Sequence, residues 1–337
     1  MPKMNTHLLS VSRTSPPYAD PNKVRLHASE RDYPYSDVIW NDFLSRLKPT
    51  DIMYYPNIDC AYDVLGQFCG MQKHNLTLFD GSSNGIRNIF SLFVTPHSKV
   101  ISTNPSFPMY RVYADMYQAE FTAIDYTYEV FPLREMIDAI DENTSVVIIS
   151  NPSSPVGDVI SYDDLIAISN KCHDNNALLI VDEAYIEFSD AKTMAAYATT
   201  HDHVIVLRTF SKAFGSAGAR IGYAISTETN KNHLTLVRSM NEISGCSVKW
   251  METLCDHKSD AKNYIEAVIK NRNIIETQNI IRGRSVICSQ TNFIHVSDLV
   301  LPYDFVYRSC KMPWTDIQYS RISIPANVNT ADRLIQY

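Results

Sequence analysis

Arg208-Thr-Phe-Ser-Lys-Ala-Phe-Gly-Ser-Ala-Gly-Ala-Arg-Ile-Gly-Tyr223 sets one lysine, Lys212, between two apolar runs, His203–Arg208 and Ile221–Ile225. Both runs are short and rich in β-branched residues, so they read as strands, and Gly215 and Gly218 loosen the turn that joins them. A lysine amine becomes a covalent catalyst where desolvation or a neighbouring cation makes it nucleophilic, and Ser211 and Arg220 are residue types that anchor a phosphate. The partner implied is a phosphorylated aldehyde. A solvated loop lysine and a salt-bridged arginine would leave the same letters, so the rest of the chain must decide.

Moving outward, apolar runs at Leu76–Phe79, Lys99–Ser102, Val146–Ser150 and Ala177–Val181 join the two above. Between most of them lie helical spacings, at Asn84–Val94, Met109–Met116, Leu133–Ile140 and Tyr162–Asn175, the last led in by Ser161 with Asp164 as an N-cap. This alternation predicts an α/β fold, an open and mostly parallel sheet flanked by helices, from about residue 40 to 235. A polar-interrupted helix around Ala261–Thr277 and strands at Asn292–Val296 and Tyr319–Ile324 predict a smaller α+β C-terminal domain. The expected division is an N-terminal arm, 1–37, packing with the small domain, a large domain over 38–235, and the small domain over 236–337. Pro16, Pro17, Pro21 and Pro34 make the arm extended, since proline cannot propagate a helix.

Composition narrows the function. A chain of 337 residues, 45% hydrophobic and 20% charged, can bury one large core and a smaller one. Its net charge of −7, without a basic run, argues against a nucleic-acid partner. Seven cysteines, odd in number and without C-x-x-C spacing, point to reduced thiols in a cytoplasmic protein and away from structural zinc. The N-terminus lacks an apolar core of signal-peptide length, and no segment approaches a membrane span. His201-Asp-His203 has no partner at ligand spacing, so no metal is expected there. The dinucleotide, Walker A, zinc-protease and serine-hydrolase signatures do not occur.

Ligands of open parallel sheets collect beyond the carboxyl ends of the strands. There the chain places Asn151-Pro-Ser-Ser-Pro-Val-Gly157, Asp182-Glu-Ala-Tyr185 and Ser211-Lys212, predicting that three strand ends meet in one crevice. The Asp80-Gly-Ser-Ser-Asn-Gly85 turn follows a strand and opens a helix, so Ser82 and Ser83 offer free N–H groups to an anion, with Ser211 and Arg220 completing the charge. Asp182 is suited to pair with a protonated ring nitrogen, Asn151 and Tyr185 to bond a ring oxygen, and Phe107 to stack on the ring. Pyridoxal 5'-phosphate fits all of these.

In order and spacing, Asn151-Pro…Pro155-x-Gly157, Asp182-x-x-Tyr185 and Ser211-Lys212-x-x-Gly-x-x-Gly-x-Arg220-x-Gly-Tyr223 resemble the fold-type I, class I/II pyridoxal-phosphate aminotransferases, most closely the histidinol-phosphate branch. The resemblance runs from about Leu26 to Ile324. It implies that Lys212 binds the cofactor and shuttles the proton, that Asp182 keeps the ring an electron sink, and that Tyr55, in Tyr55-Pro-Asn, reaches the cofactor phosphate of a neighbouring subunit in a homodimer. It also implies that Arg321, in Arg321-Ile-Ser-Ile, grips the substrate anion and that Arg308 is a second substrate-anion arginine. The expected reaction moves an amino group from an amino acid, glutamate by resemblance, to a keto or aldehyde acceptor carrying phosphate.

The chain departs from the family at Leu26-His-Ala-Ser-Glu30, where asparagine usually precedes the glutamate, at Ser216 in place of leucine, and at Glu242-Ile-Ser-Gly in place of a proline-tyrosine segment. These departures bear on the substrate mouth and the dimer seam. Two rivals follow: a decarboxylase of an O-phospho amino acid, similar to threonine-phosphate decarboxylase, and a ligand sensor of the kind fused to a DNA-binding module. No extension of that size precedes Leu26, and the lysine is kept.

Overall fold

The computed structural model describes residues 4–13, 20, 22–127 and 129–337; Pro16, Pro17 and Pro21 of the expected arm lie outside them. Strand β1 (Val24–Arg25) is followed by β2 (Leu76–Asp80), β3 (Lys99–Asn104), β4 (Glu120–Asp125), β5 (Thr144–Ser150), β6 (Leu178–Asp182), β7 (Val204–Thr209) and β8 (Ile221–Ile225). The strands β2 to β8 form one sheet in the order β2-β8-β7-β6-β5-β3-β4. From β7 to β4 all neighbours are parallel, whereas β8 runs antiparallel to both β7 and β2. The sheet therefore begins at Leu76, not near residue 40.

Successive side chains of a strand point to opposite faces, and here both faces are apolar. Val147, Ile149, Leu179, Val181, Val204 and Val206 enter one buried cluster. Val146, Ile148, Leu178, Ile180, Ile205 and Leu207 enter the other. Helices cover each face, which explains why the strands read as unbroken apolar runs. β3 leads outward to β4 while β5, β6 and β7 lead the opposite way, so the strand order reverses between β3 and β5, where such sheets bind ligands.

The remaining strands β9 (Val286–Ile287), β10 (Phe293–Ser297), β12 (Arg308–Lys311) and β13 (Gln318–Ser323) make an antiparallel sheet, and β11 (Phe305–Val306) pairs in parallel with β1. The helix Lys258–Ile281 packs there through Tyr264, Val268 and Ile275. Between Val24 and Asp32 the chain is tied to this smaller unit, since Ser323 N–H donates to Leu26 O at 2.8 Å and the Asp32 carboxylate accepts the N–H groups of Ala326 and Asn327 at 3.0 Å each.

The expected division at 235/236 needs correction. The helix Gly245–Asp256 buries Val248, Trp250, Met251 and Leu254 in the first cluster of the large sheet, so residues up to about Asp256 belong with the large unit. Its apolar face meets the helices Asp37–Arg46 and Ile58–Cys69. Among the described residues no helix is long and apolar enough to cross a membrane.

Candidate active site

The site is assembled at the carboxyl ends of β3, β5, β6 and β7 and at the start of the helix Ser82–Phe93. Ser82, Ser83, Phe107, Asp182, Tyr185, Ser211, Lys212 and Arg220 line one cleft, with Ala28 and Glu30 closing it. The expected constellation is brought together there. Asn151, Tyr55, Arg308 and Arg321 are not among its walls.

The helix Ser82–Phe93 starts after Gly81, which sits at φ 78° and offers no side-chain cap. Gly81 O takes the N–H groups of Asn84 and Gly85, so those of Ser82 and Ser83 face the cleft without an intrahelical acceptor. Two glycines make this cradle. A Cβ on Gly222 would lie 2.2 Å from Ser82 N, and one on Gly81 would lie 2.1 Å from Arg220 Nη2. Arg220, itself at φ 53°, is drawn over the turn by Asp80 O at 3.4 Å and Ala217 O at 3.3 Å. Backbone N–H groups, a helix N-terminus, a serine and a guanidinium thus converge where an anion would sit.

Asp182 ends β6 and is 6% exposed. Its Oδ2 accepts the Tyr110 hydroxyl at 2.9 Å and its Oδ1 the Ala184 N–H at 3.2 Å. Burial pushes its carboxyl up to about 6, partly opposed by the Tyr110 bond, the Ala184 N–H and Lys212. A carboxylate that is costly to keep charged is one that a cationic ring nitrogen would stabilise. Tyr110 was not among the expected site residues, although it stands in the first turn of Met109–Met116, three residues after Phe107.

Lys212 Nζ lies 5.6 Å from the Tyr185 ring centre and donates to Ala28 O at 2.9 Å. Burial alone would raise the Tyr185 phenol, but Lys212 and Arg321 outweigh it and hold that pKa below its ordinary value. Phe107 meets Tyr110 edge-on, with centroids 5.5 Å apart, and presents itself to the cleft.

Asn151 stands just outside the cleft lining: its Oδ1 accepts Ile160 N–H at 2.9 Å and its Nδ2 donates one N–H to Ile160 O at 3.2 Å, so the amide braces the 151–160 loop and keeps a second Nδ2–H. Tyr55 is 80% exposed and lines a neighbouring cleft that reaches Arg220 from outside. His201 stacks on Tyr197 at 3.6 Å and His203 Nε2 lies 3.0 Å from Ser169 Oγ, and among the described residues no group of three or more possible ligands could hold a metal.

Arg321 lies on β13 behind Tyr185, its guanidinium 3.8 Å from the Phe293 ring, whose edge meets Tyr185 at 5.4 Å. Arg308 and His295 are its cross-strand partners on β12 and β10, so the three side chains share one sheet face. Arg308 is exposed, while His295 is fully buried and kept neutral by burial and by Arg321, its pKa lowered to about 3. The departures from the resembled pattern have local partners. Ser216 Oγ accepts Trp250 Nε1–H at 2.8 Å, and Glu242 takes the Tyr62 hydroxyl at 2.9 Å and pairs with Arg238.

Residues 21–306 match the family model described as aminotransferase class I and II. The chain belongs to the class I and II aminotransferases. A histidinol-phosphate aminotransferase of Caldanaerobacter subterraneus subsp. tengcongensis is 31% identical over 283 residues, covering 81% of this chain and 78% of that protein. In fold, the chain is similar to a histidinol-phosphate aminotransferase of Sinorhizobium meliloti solved with pyridoxal-5'-phosphate, with a TM-score of 0.87 and 20% identity over 100% of this chain and 96% of that one. It is also similar, with a TM-score of 0.77 and 18% identity over 93% of this chain and 97% of the other, to an L-threonine-O-3-phosphate decarboxylase of Porphyromonas gingivalis. Amino-group transfer with pyridoxal 5'-phosphate is the chemistry of the family, and it is the chemistry of this aminotransferase.

Proposed function

We propose that this aminotransferase exchanges an amino group between an amino acid, glutamate being the expected donor, and a phosphorylated keto or aldehyde acceptor of the histidinol-phosphate type. The convergence of Lys212, Asp182 and the Ser82–Ser83 helix start on one cleft carries the reading. The residues fit pyridoxal phosphate by charge and shape: an anion cradle that two glycines keep open, with a buried carboxyl and an amine lining the same cleft. When bound, the cofactor supplies an electron-withdrawing ring that stabilises negative charge at the substrate Cα.

The chain's own groups have distinct tasks. Ser82 and Ser83 N–H, Ser211 and Arg220 would hold the phosphate, and Asp182 would pair with the ring nitrogen. Lys212 Nζ would hold the cofactor and, when its amine is free, would take and return the proton at the substrate Cα. Tyr185, with its lowered pKa, would bond the ring oxygen. Arg321 orients the substrate by its anionic group, and Arg308, on the same sheet face, receives the phosphate.

The protein acts as a cytoplasmic homodimer in this reading. Trp40, Ile52, Met53, Tyr54 and Tyr55 leave large apolar surface exposed beside the Arg220 cleft, as expected of a face that meets a second copy, and Tyr55 would then serve the partner's phosphate.

Borohydride reduction should fix the cofactor to the peptide carrying Lys212. In a separate, unreduced sample, incubation with glutamate should leave stoichiometric pyridoxamine phosphate without release of carbon dioxide. Carbon dioxide release from an O-phospho amino acid, with no pyridoxamine form, would move the assignment to decarboxylation.

A further inference from the structure

Residues Ala28 and Ser29 connect the two halves of the site. Ala28 O accepts the Lys212 amine at 2.9 Å, and the next residue faces the small unit. Ser29 is 1% exposed and sits at φ 55°, in the left-handed region that a serine seldom occupies. Every polar group of this residue is engaged. Its N–H donates to Ser323 Oγ at 2.8 Å, its carbonyl accepts Asn292 Nδ2–H at 3.2 Å, and its hydroxyl oxygen accepts Arg321 Nη2–H at 3.2 Å. Such a conformation is held only where the surroundings over-determine it, and here two bonds to β13 and one to the turn before β10 do so.

The consequence concerns Arg321. Stacking on Phe293 fixes the plane of its guanidinium but leaves it free to turn within that plane. The Ser29 hydroxyl accepts from Nη2 of that guanidinium, the Tyr185 phenol lies beside both groups, and Nε is buried without an acceptor. An unmet buried donor is costly, and a substrate carboxylate is the natural acceptor to meet it. The tether at Nη2 therefore restricts the in-plane angle and keeps Nε for the incoming anion.

We propose that Ser29 is a positioning residue for substrate-anion recognition, its hydroxyl setting the in-plane orientation of the Arg321 guanidinium. The inference rests on the aminotransferase reading of the site and deepens it: the group recognised is a planar carboxylate, and Ser29 acts through Arg321 without touching the cofactor. The left-handed backbone is part of the device, because it turns the Ser29 side chain toward β13 while Ala28 O stays with Lys212.

The test uses holoenzyme carrying Ser29→Ala, Ser29→Gly or Ser29→Asn. Glycine accepts the positive φ without strain, so S29G separates loss of the hydroxyl from any folding defect of S29A; asparagine tolerates that φ and returns an oxygen acceptor. The readouts are the dissociation constant of succinate, a non-reacting dicarboxylate, followed through the cofactor absorbance, the dissociation constant of the cofactor, and KM and kcat for glutamate. S29A and S29G should each weaken succinate and raise KM by about tenfold, the factor expected when a hydrogen bond to a charged group is lost, with kcat and cofactor affinity within about twofold. S29N should recover part of the succinate affinity. Unchanged succinate binding in S29A and S29G, or parallel losses in cofactor affinity and kcat, would overturn the positioning role while wild-type turnover leaves the aminotransferase reading intact. Wild-type protein that takes up no cofactor would overturn that reading and this inference with it.

Discussion

The Tyr110 hydroxyl donates a 2.9 Å hydrogen bond to Asp182 Oδ2, and both groups are buried at the carboxyl end of the sheet. The bond holds the carboxylate in place and opposes the effect of burial on its ionisation. Tyr110→Phe removes the donor and keeps the ring, leaving a buried carboxylate oxygen short of a partner. A hydrogen bond to a charged group contributes about 1.5–3 kcal/mol, so kcat/KM should fall about ten- to hundredfold. Steady-state kinetics would test this, and a Y110F enzyme with wild-type kcat/KM would remove Tyr110 from the site.

Asp182 also makes the cofactor-free protein sensitive to pH. Its carboxyl titrates at about 6 in the folded chain and near 3.9 when unfolded, so between those values the folded state binds more protons. Stability on account of this group is then greatest below about pH 4, declines as pH rises through the window, and is fully lost above it. Asp182→Asn carries no charge to bury. Stripped of cofactor, it should exceed the wild type at pH 8 by up to about 2–3 kcal/mol, with the gap closing at pH 4, while turnover of the reconstituted enzyme falls by orders of magnitude. Urea titrations at the two pH values supply the comparison, and equal stabilities at pH 8 would contradict the burial argument.

The phosphate cradle depends on space more than on chemistry. Gly222 carries no positive φ, yet a Cβ there would stand 2.2 Å from Ser82 N, and the atom in the way is backbone. Gly222→Ala should therefore push β8 and the helix start apart, costing about 1–3 kcal/mol of stability and weakening pyridoxal phosphate by at least tenfold. Fluorescence titration with cofactor would show it. The same substitution at Gly218, where nothing lies within 4 Å of the added carbon, should leave cofactor affinity unchanged.

Beneath the site, Glu183 is fully buried and accepts Arg208 Nη2–H at 2.8 Å, with the Thr193 hydroxyl and Met194 N–H completing its bonds. The pair anchors the strand that carries Lys212 to the loop after Asp182. Removing one member leaves the other charge buried and unpaired, so Glu183→Ala should lower stability by about 3–5 kcal/mol. Chemical denaturation that finds less than about 1 kcal/mol would mean that water replaces the carboxylate.

Much of this arrangement is legible in the letters, and what is not has physical reasons. The central strands β5 to β8 are recognisable because both faces are buried and apolar residues run on without interruption. Strand β4 gives no such run: at the sheet edge Glu120, Ala123 and Asp125 are exposed, and the alternation is too weak to separate it from a loop. The helix Gly245–Asp256 follows the large unit in sequence and reads as the start of the next, and only packing of Trp250 and Met251 assigns it. At the site, Asp182, Ser211 and Lys212 at or just beyond strand ends line the cleft, whereas Asn151, at a corresponding position, bonds Ile160. Spacing locates a Cα; it does not say which neighbour a short amide prefers. Tyr110 was hidden for the converse reason, since an aromatic in a first helical turn usually serves packing.

The last prediction concerns substrate choice. Arg308 and Arg321 oppose each other across β12 and β13, so their side chains leave the same face of the small sheet, one exposed and one tethered by Ser29. An arginine that grips an anion uses a planar fork of donors, and lysine, a point charge, does not reproduce it. Arg321 lies against Phe293, behind the Tyr185 wall of the cleft, where both half-reactions must present their carboxylate or its counterpart. Arg308 stands one strand farther out, where only a longer, phosphorylated substrate would reach. Arg321→Lys should thus lower kcat/KM for glutamate and for the phosphorylated acceptor alike, by about tenfold or more, whereas Arg308→Lys should lower it for the acceptor and leave glutamate within about twofold. Paired kinetics of the two half-reactions provide the measurement. Small and equal effects of R308K on both would mean that no phosphate is read at Arg308, and a shorter acceptor would then have to be sought for the same amino-transfer chemistry.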